Sequence, residues 1–276
     1  MKKVLAIIVT YNGMQWLDRC LSSAAPEADL YVWDNHSADG SADFVAANYP
    51  QAMLTRSEEN VGFATANNMG MHYAMRKGYK YVYLLNQDAW VFPGTIGTLL
   101  SAARTHPEYA VLSPVQMTAD YKELDPLFAR IYRISGEEDV CRLRRVMAAH
   151  WLVPVAAIRE IGLFEEDLFP HWGQDDDWCN RARYHGMKVG VVSSAQAVHD
   201  RARRQESTEK LIRRNYYNGS LVRLCDVNRP LAERFLFVCL FTLVKAVKYR
   251  SIQPFIYFRK LCGKLPRIRD HRRSSR

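Results

Sequence analysis

A chain of 276 residues, 48% of them apolar, can bury a sizeable core and fits one large domain or one domain with an appendage. The six cysteines, Cys20, Cys141, Cys179, Cys225, Cys239 and Cys262, include no Cys-x-x-Cys pair, which argues against a zinc knuckle or a disulfide framework and for reduced thiols in a cytosolic protein. The net charge of +9 is uneven: from Arg201 onward the chain holds 20 of its 38 Lys and Arg but 5 of its 29 Asp and Glu, so an acidic body carries a basic tail suited to a polyanionic surface.

Residues 4–10 form an unbroken apolar run that predicts a buried strand. Behind Met1, Lys2 and Lys3 the run resembles a signal peptide, but it is too short and lacks a small-residue cleavage site. Tyr11, Asn12 and Gly13 make a turn into a helix over 14–22, and a second strand over 30–34 ends on Asp34. A polar turn over 35–41 leads to a helix at 42–48, completing a βαβ unit whose crossover is right-handed. After a third strand near 53–55, Gly62 permits close backbone approach, and the helix running to Lys77 would aim its N-terminal amides at an anion on the sheet edge.

The stretch from Lys80 to Trp90 reads as a central strand running into Asp88, with Asn86 two residues earlier. Ligands bind at the carboxyl ends of strands in open α/β sheets, and a carboxylate there can hold a hard divalent cation against phosphates. A helix over 95–104 and a strand over 110–113 follow, and the polar stretch 118–145 predicts a flexible loop. Beyond it lie a strand over 147–154, a short helix closing on Gly162, and Gln174-Asp175-Asp176-Asp177, whose acids suit the first turn of a helix. A last strand over 188–192 precedes Val198-His199.

Five blocks in order resemble family 2 glycosyltransferases of the GT-A fold, most closely the rhamnosyltransferase-like members that build bacterial surface polysaccharides. They are Val9-Thr10-Tyr11-Asn12; Asp34-Asn35 with Ser37, Asp39, Gly40 and Ser41; Asn60, Gly62, Phe63, Ala64, Asn67, Asn68 and Gly70; Leu85-Asn86-Gln87-Asp88; and Gly162-Leu163-Phe164-Glu165-Glu166 followed by Asp175, Asp177, Cys179, Arg181 and Gly186. Val198-His199 is a weaker sixth, and together the blocks cover residues 4–200.

The resemblance implies an α/β fold, a Rossmann-like mixed sheet flanked by helices with a C-terminal helical appendage. The catalytic domain would span residues 1–225, with a donor half over about 1–115 and an acceptor and base half over about 146–225. By the family pattern Asp88 and His199 would bind Mg²⁺ or Mn²⁺, and Thr10, Tyr11, Asn12, Asp34, Asn60, Gly62, Asn68, Asn86 and Gln87 would line the donor site. Asp175 would be the catalytic base: an acceptor hydroxyl needs a carboxylate within reach to take its proton as the new bond forms. Gln174 stands where the family has Glu. Direct attack would invert the anomeric carbon. His150, Trp151, His171 and Trp172 could shape the acceptor site or pack in the core.

The implied donor is dTDP-rhamnose, with UDP-sugars next, and the implied acceptor is a lipid-linked or polysaccharide hydroxyl. Residues 226–276 mix Lys245, Lys248, Arg250, Arg259, Lys260 and Lys264 with Phe255, Tyr257 and Phe258. Their apolar run is too short to span a bilayer, which suits helices lying on an anionic membrane, placing the protein in the cytoplasm on the inner face of the plasma membrane; packing on the body or on a second subunit is the competing reading. Residues 267–276 are expected to be disordered, and no nucleic-acid-binding module accompanies the charge. A sugar nucleotidyltransferase would need a Gly-rich basic loop after the first strand, where Thr10 to Gly13 stand, and a non-catalytic scaffold of the same fold is the remaining alternative.

Overall fold

Why β1 (Val4–Thr10) is apolar on both faces follows from its place between two parallel partners, β2 (Asp29–Asp34) and β4 (Tyr81–Asn86). Leu5 and Ile7 join one core layer, while Val4, Ala6 and Ile8 join the other. The computed structural model describes residues 3–132, 139–201 and 213–276. A nine-stranded sheet runs β3 (Met53–Arg56), β2, β1, β4, β8 (His150–Pro154), β6 (Tyr109–Met117), β9 (Lys188–His199), β5 (Ala89–Val91), with β7 (Val140–Leu143) added beside β9. Four strands on the β3 side are parallel, and β8 enters antiparallel between β4 and β6.

One face is covered by α1 (Met14–Ala24), α2 (Ser41–Asn48) and α4 (Thr95–Thr105), and the other by α3 (Gly62–Lys77), α5 (Val155–Ile161) and α6 (Gln174–Tyr184). In α4 the buried residues Ile96, Leu99, Ala102 and Ala103 recur at helical spacing, giving the stripe that seats it.

Three expectations change. Strands β6 and β9 are longer than predicted, and the three-residue β5, too short for a periodic signal, pairs antiparallel with the end of β9. The stretch expected as a flexible loop contains β7 and a turn built on Asp125, whose carboxylate accepts from the Leu127 and Phe128 amides while Phe128 and Tyr132 are buried. Residues 267–276, expected to be disordered, lie mostly in a helix.

That helix is α10 (Leu265–Ser274), last of four that follow a π-helical turn at Arg213–Asn218. The others are α7 (Gly219–Cys225), α8 (Leu231–Tyr249) and α9 (Gln253–Gly263). Leu221, Leu224, Val238, Leu261 and Ile268 pack with Leu168 and Phe169 of the body. Among the described residues no helix is long and apolar enough to cross a membrane.

Candidate active site

The sheet brings Asp88 and His199 together through register. Ala89 pairs with His199 across β5 and β9, and the Asp200 amide donates to the Asp88 carbonyl at 2.8 Å. As a result His199 Nε2 stands 3.6 Å from Asp88 Oδ1, both residues being buried. That gap is too long for a hydrogen bond and matches what one cation spans when it lies about 2.0–2.2 Å from each ligand atom. The residues therefore fit a divalent ion.

Behind the histidine is Asp125, a residue the sequence reading did not single out. Its Oδ2 faces His199 Nδ1 at 3.8 Å and accepts from Arg201 Nε at 2.7 Å. At that distance the contact is electrostatic: the carboxylate faces the far side of the ring, whose Nδ1 has no hydrogen-bond partner among the described residues. The available signal was Asp125-Pro126, a turn-initiating pair, but nothing local reveals that the turn tucks under β9.

The candidate nucleoside residues lie where β1 and β2 end. Asp34 is 3% exposed; its Oδ2 accepts from the Ser37 amide at 3.0 Å, while Oδ1 has no hydrogen-bond partner among the described residues. A buried carboxylate oxygen without a partner is costly and suits a donor on a ligand. Tyr11 is 48% exposed and presents its ring beside this edge.

Several expected donor contacts hold the site's walls instead. Gln87 binds the Tyr11 backbone in both directions and takes the Thr10 hydroxyl at 2.9 Å. Gly13 leaves room for these bonds: a Cβ there would run into the Gln87 carboxamide and the Thr10 hydroxyl. Asn12 accepts from the Ala38 amide, welding the first loop to the second, and Asn60 accepts from the Gly62 amide. Asn68 is a correction: its amide group exchanges hydrogen bonds with the Phe164 backbone and donates to Glu166, so it anchors the 164–166 segment. The amides at the start of α3 are a second correction, because those of Phe63 and Ala64 point at the Pro170 carbonyl. Asn86 sits half-buried at the end of β4, its amide donating to the Ala149 carbonyl at 3.1 Å.

That last bond ties the two acids together. Asp175, on the first turn of α6, lies near enough to the Ala148 amide for that amide to hold its carboxyl down, and Ala149 accepts from Asn86, two residues before Asp88. Asp175 therefore sits at the carboxyl end of β4, the same edge as Asp88. Burial and the neighbouring Asp176 charge push the Asp175 carboxyl above the usual carboxylate range, while amides of Asp176 and Ala148 and the Arg145 guanidinium hold it back. Gln174 is buried, with Oε1 lacking a partner among the described residues.

His150 and Trp151 are core residues, correcting an acceptor role. His150 is clamped between the Tyr83 hydroxyl and the Val198 carbonyl, both at 2.9 Å, and burial lowers its pKa to about 3. Trp151 packs on Phe164 and Trp178. His171 and Trp172, by contrast, are exposed on the loop just ahead of Asp175.

The chain thus forms a mixed α/β sheet with a buried carboxylate and imidazole at the carboxyl end of its central strand. The chain belongs to glycosyl transferase family 2, whose model matches residues 5–147, just over half of it. It is 24% identical over 238 residues to a dTDP-rhamnosyl transferase, RfbF, of Shigella flexneri, covering 83% of this chain and 74% of that one. It is 26% identical over 239 residues to an N-acetylglucosaminyl-diphospho-decaprenol L-rhamnosyltransferase of Mycobacterium tuberculosis, covering 73% and 78% respectively. Among solved structures it resembles the mannosyltransferase PcManGT of Pyrobaculum calidifontis in complex with GDP-Man and Mn²⁺, at 15% identity and a TM-score of 0.63 over 99% of this chain and 73% of the other.

Proposed function

We propose that this glycosyltransferase moves a sugar, rhamnose in the favoured case, from a nucleoside-diphosphate donor to a hydroxyl of a lipid-linked or polysaccharide acceptor in bacterial surface-glycan synthesis, inverting the anomeric carbon. The observation that supports the reading is proximity: Asp175 lies beside the Ala148 amide, and the neighbouring Ala149 carbonyl accepts from Asn86, two residues before Asp88, at the end of β4. The names of the two rhamnosyltransferase relatives favour dTDP-rhamnose and a lipid-linked acceptor. A UDP-sugar is the next choice.

In the reaction the acceptor oxygen bonds to the anomeric carbon, the carbon–oxygen bond to the diphosphate breaks, and the hydroxyl proton passes to the Asp175 carboxylate. Asp88 and His199, backed by Asp125, would hold Mg²⁺ or Mn²⁺, which when bound neutralises charge on the leaving diphosphate. Asp34 accepts from the base or ribose, and Tyr11 packs on the nucleoside. Thr10, Asn12, Asn60, Gly62 and Gln87 shape the loops around it. His171 and Trp172 offer ring faces to the acceptor sugar.

The tail fits an anionic membrane on the cytoplasmic side. Leu236, Phe237, Leu240, Leu243, Val244 and Val247 form one exposed stripe along α8, continued by Ile252, Phe255 and Ile256, while Lys245, Lys248 and Lys260 lie nearby. An apolar face rimmed with basic residues suits the headgroup layer, which holds the enzyme beside a lipid-linked acceptor.

Screening a nucleotide-sugar panel with purified protein, with and without Mg²⁺ or Mn²⁺, tests the donor and metal, and the anomeric configuration of the product tests inversion. No metal-stimulated turnover of any donor, or a retained configuration, would refute the reaction. Flotation with phosphatidylglycerol vesicles tests the tail: Leu240→Glu with Val247→Glu should abolish binding that the parent shows. A stable dimer of the parent that ignores vesicles would replace the membrane with a second copy.

A further inference from the structure

We infer that the C-terminal helix α10 is a working part of the base side of the site, with His271 as the residue that positions the start of α6; this rests on Asp175 being the base. His271 lies on the far end of the chain, yet its two ring nitrogens face two carboxylates. Nε2 is 2.9 Å from Asp177 Oδ1, and Nδ1 is 3.4 Å from Glu165 Oε2. Carboxylates on both sides call for a ring protonated at both nitrogens.

The charges around the ring come from every element packed on it. Asp177 and Arg181 belong to α6, Glu165 to the loop before it, Cys225 to α7, and Arg267 to α10 itself, where it reaches Glu165 and Asp167. Burial opposes the imidazolium and so does Arg181, but the bonds to Asp177 and Glu165 outweigh both and raise the ring to about 9. The same contact holds Glu165 down to about 2. Burial keeps Cys225 a neutral thiol, so it adds no charge.

What this network grips is the segment that presents the base. Asp177 is two residues beyond Asp175, and its other oxygen takes Arg181 Nε at 2.9 Å. Arg181 then donates to the Ile161 and Leu163 carbonyls, fixing the start of the loop. From the opposite side Glu166 holds Asn68 and Thr65, and the Pro170 carbonyl caps α3. His271 thus supplies one of two clamps on residues 165–177.

The clamp is separable from attachment of the helix. Arg272 bonds the carbonyls of Leu224, Asp226 and Arg229, and Ile268 is buried with Leu224 and Leu261, so α10 stays docked without the imidazole. Asp177, Cys225 and His271 also have ligand atoms within 4.8 Å of one another, as a metal site would. The ring nitrogen there is already bonded to Asp177, and Arg181 occupies the other oxygen.

The test uses the full chain with dTDP-rhamnose and Mn²⁺, or the UDP-sugar the parent turns over, and compares His271→Gln and His271→Arg. Loss of the charge should cut kcat about tenfold or more while donor KM stays within about twofold, because only the base is misplaced. The clamp is present below pH 9 and is lost above it, so the parent should show an alkaline fall in kcat that His271→Gln lacks. His271→Arg should recover much of the rate.

Hydrogen exchange gives a readout independent of turnover: His271→Gln should speed exchange over residues 165–178 and leave β1 and β4 unchanged. Glu165→Gln should act in the same direction and more weakly, which covers the case of a poorly folded histidine variant. Parent-like exchange over 165–178 in both variants would overturn the inference, as would bound zinc in the parent that His271→Gln loses. A parent with no transferase activity but with the exchange change would sink the base assignment and leave the clamp standing.

Discussion

Asp88 and Asp175 stand at one edge of one sheet but are put there by different means. Asp88 follows β4 directly, and its distance to His199 is set by the backbone register of β5 on β9. Asp175 follows a loop with no strand of its own, held by side chains from α3, α6 and α10. Backbone ladders tolerate side-chain changes, whereas a side-chain clamp fails with one substitution. The proposed metal edge should therefore depend on its ligand atoms and the Asp125 charge beside them, and the proposed base edge on residues well away from the chemistry.

The largest effects should come from the acids. Asp175→Asn removes the proposed proton acceptor and should lower kcat about 10²–10⁴-fold while donor binding, measured by titration with the nucleoside diphosphate and Mn²⁺, stays intact. Asp88→Ala should lose both turnover and metal-dependent binding. If Asp175→Asn weakens donor binding as much as Asp88→Ala, the division between the two edges is wrong. Asp125→Asn should act more gently, lowering metal affinity and raising the Mn²⁺ concentration for half-activity up to about tenfold, because it removes the charge that faces the far side of His199.

The same contrast explains what could be read from residues alone. Strands β1, β2 and β4 announce themselves by apolar runs ending in Thr10, Asp34 and Asn86-Gln87-Asp88, so this edge of the sheet was legible. Asp125 was not, since its partners His199 and Arg201 lie more than seventy residues away. Nor were His271 and Asn68, whose meaning depends on which loop folds against them. His150 and Trp151 look like sugar-binding residues by type, but pairing of β8 between β4 and β6 buries them.

A third perturbation bears on the loop. Gly62 has φ +86°, and a Cβ there would lie 2.6 Å from the Pro170 carbonyl. Gly62→Ala should cost about 1–3 kcal/mol from backbone strain and that contact, lowering Tm by roughly 2–4 °C per kcal/mol. It should also lower kcat more than donor affinity, since the displaced carbonyl belongs to the base loop. Equal losses in both would assign Gly62 to the donor edge.

The smallest expected effect concerns the charge around the base. Asp175 is held above the usual carboxylate range by burial and by Asp176, and Arg145, paired with Asp176, works against that rise. A base must be ionised to accept a proton, so kcat should rise with pH through the Asp175 titration and reach a plateau before the alkaline fall set by His271. Arg145→Ala removes the opposing positive charge, so this acid limb should move to higher pH while the plateau rate stays near that of the parent. Arg145 has a side chain 57% exposed, and solvent screens it, so the displacement should be less than about one pH unit and shrink with added salt. A fall in the plateau itself would mean that Arg145 helps hold the loop or the substrate, which would add a fourth side-chain anchor to the base edge and none to the metal edge.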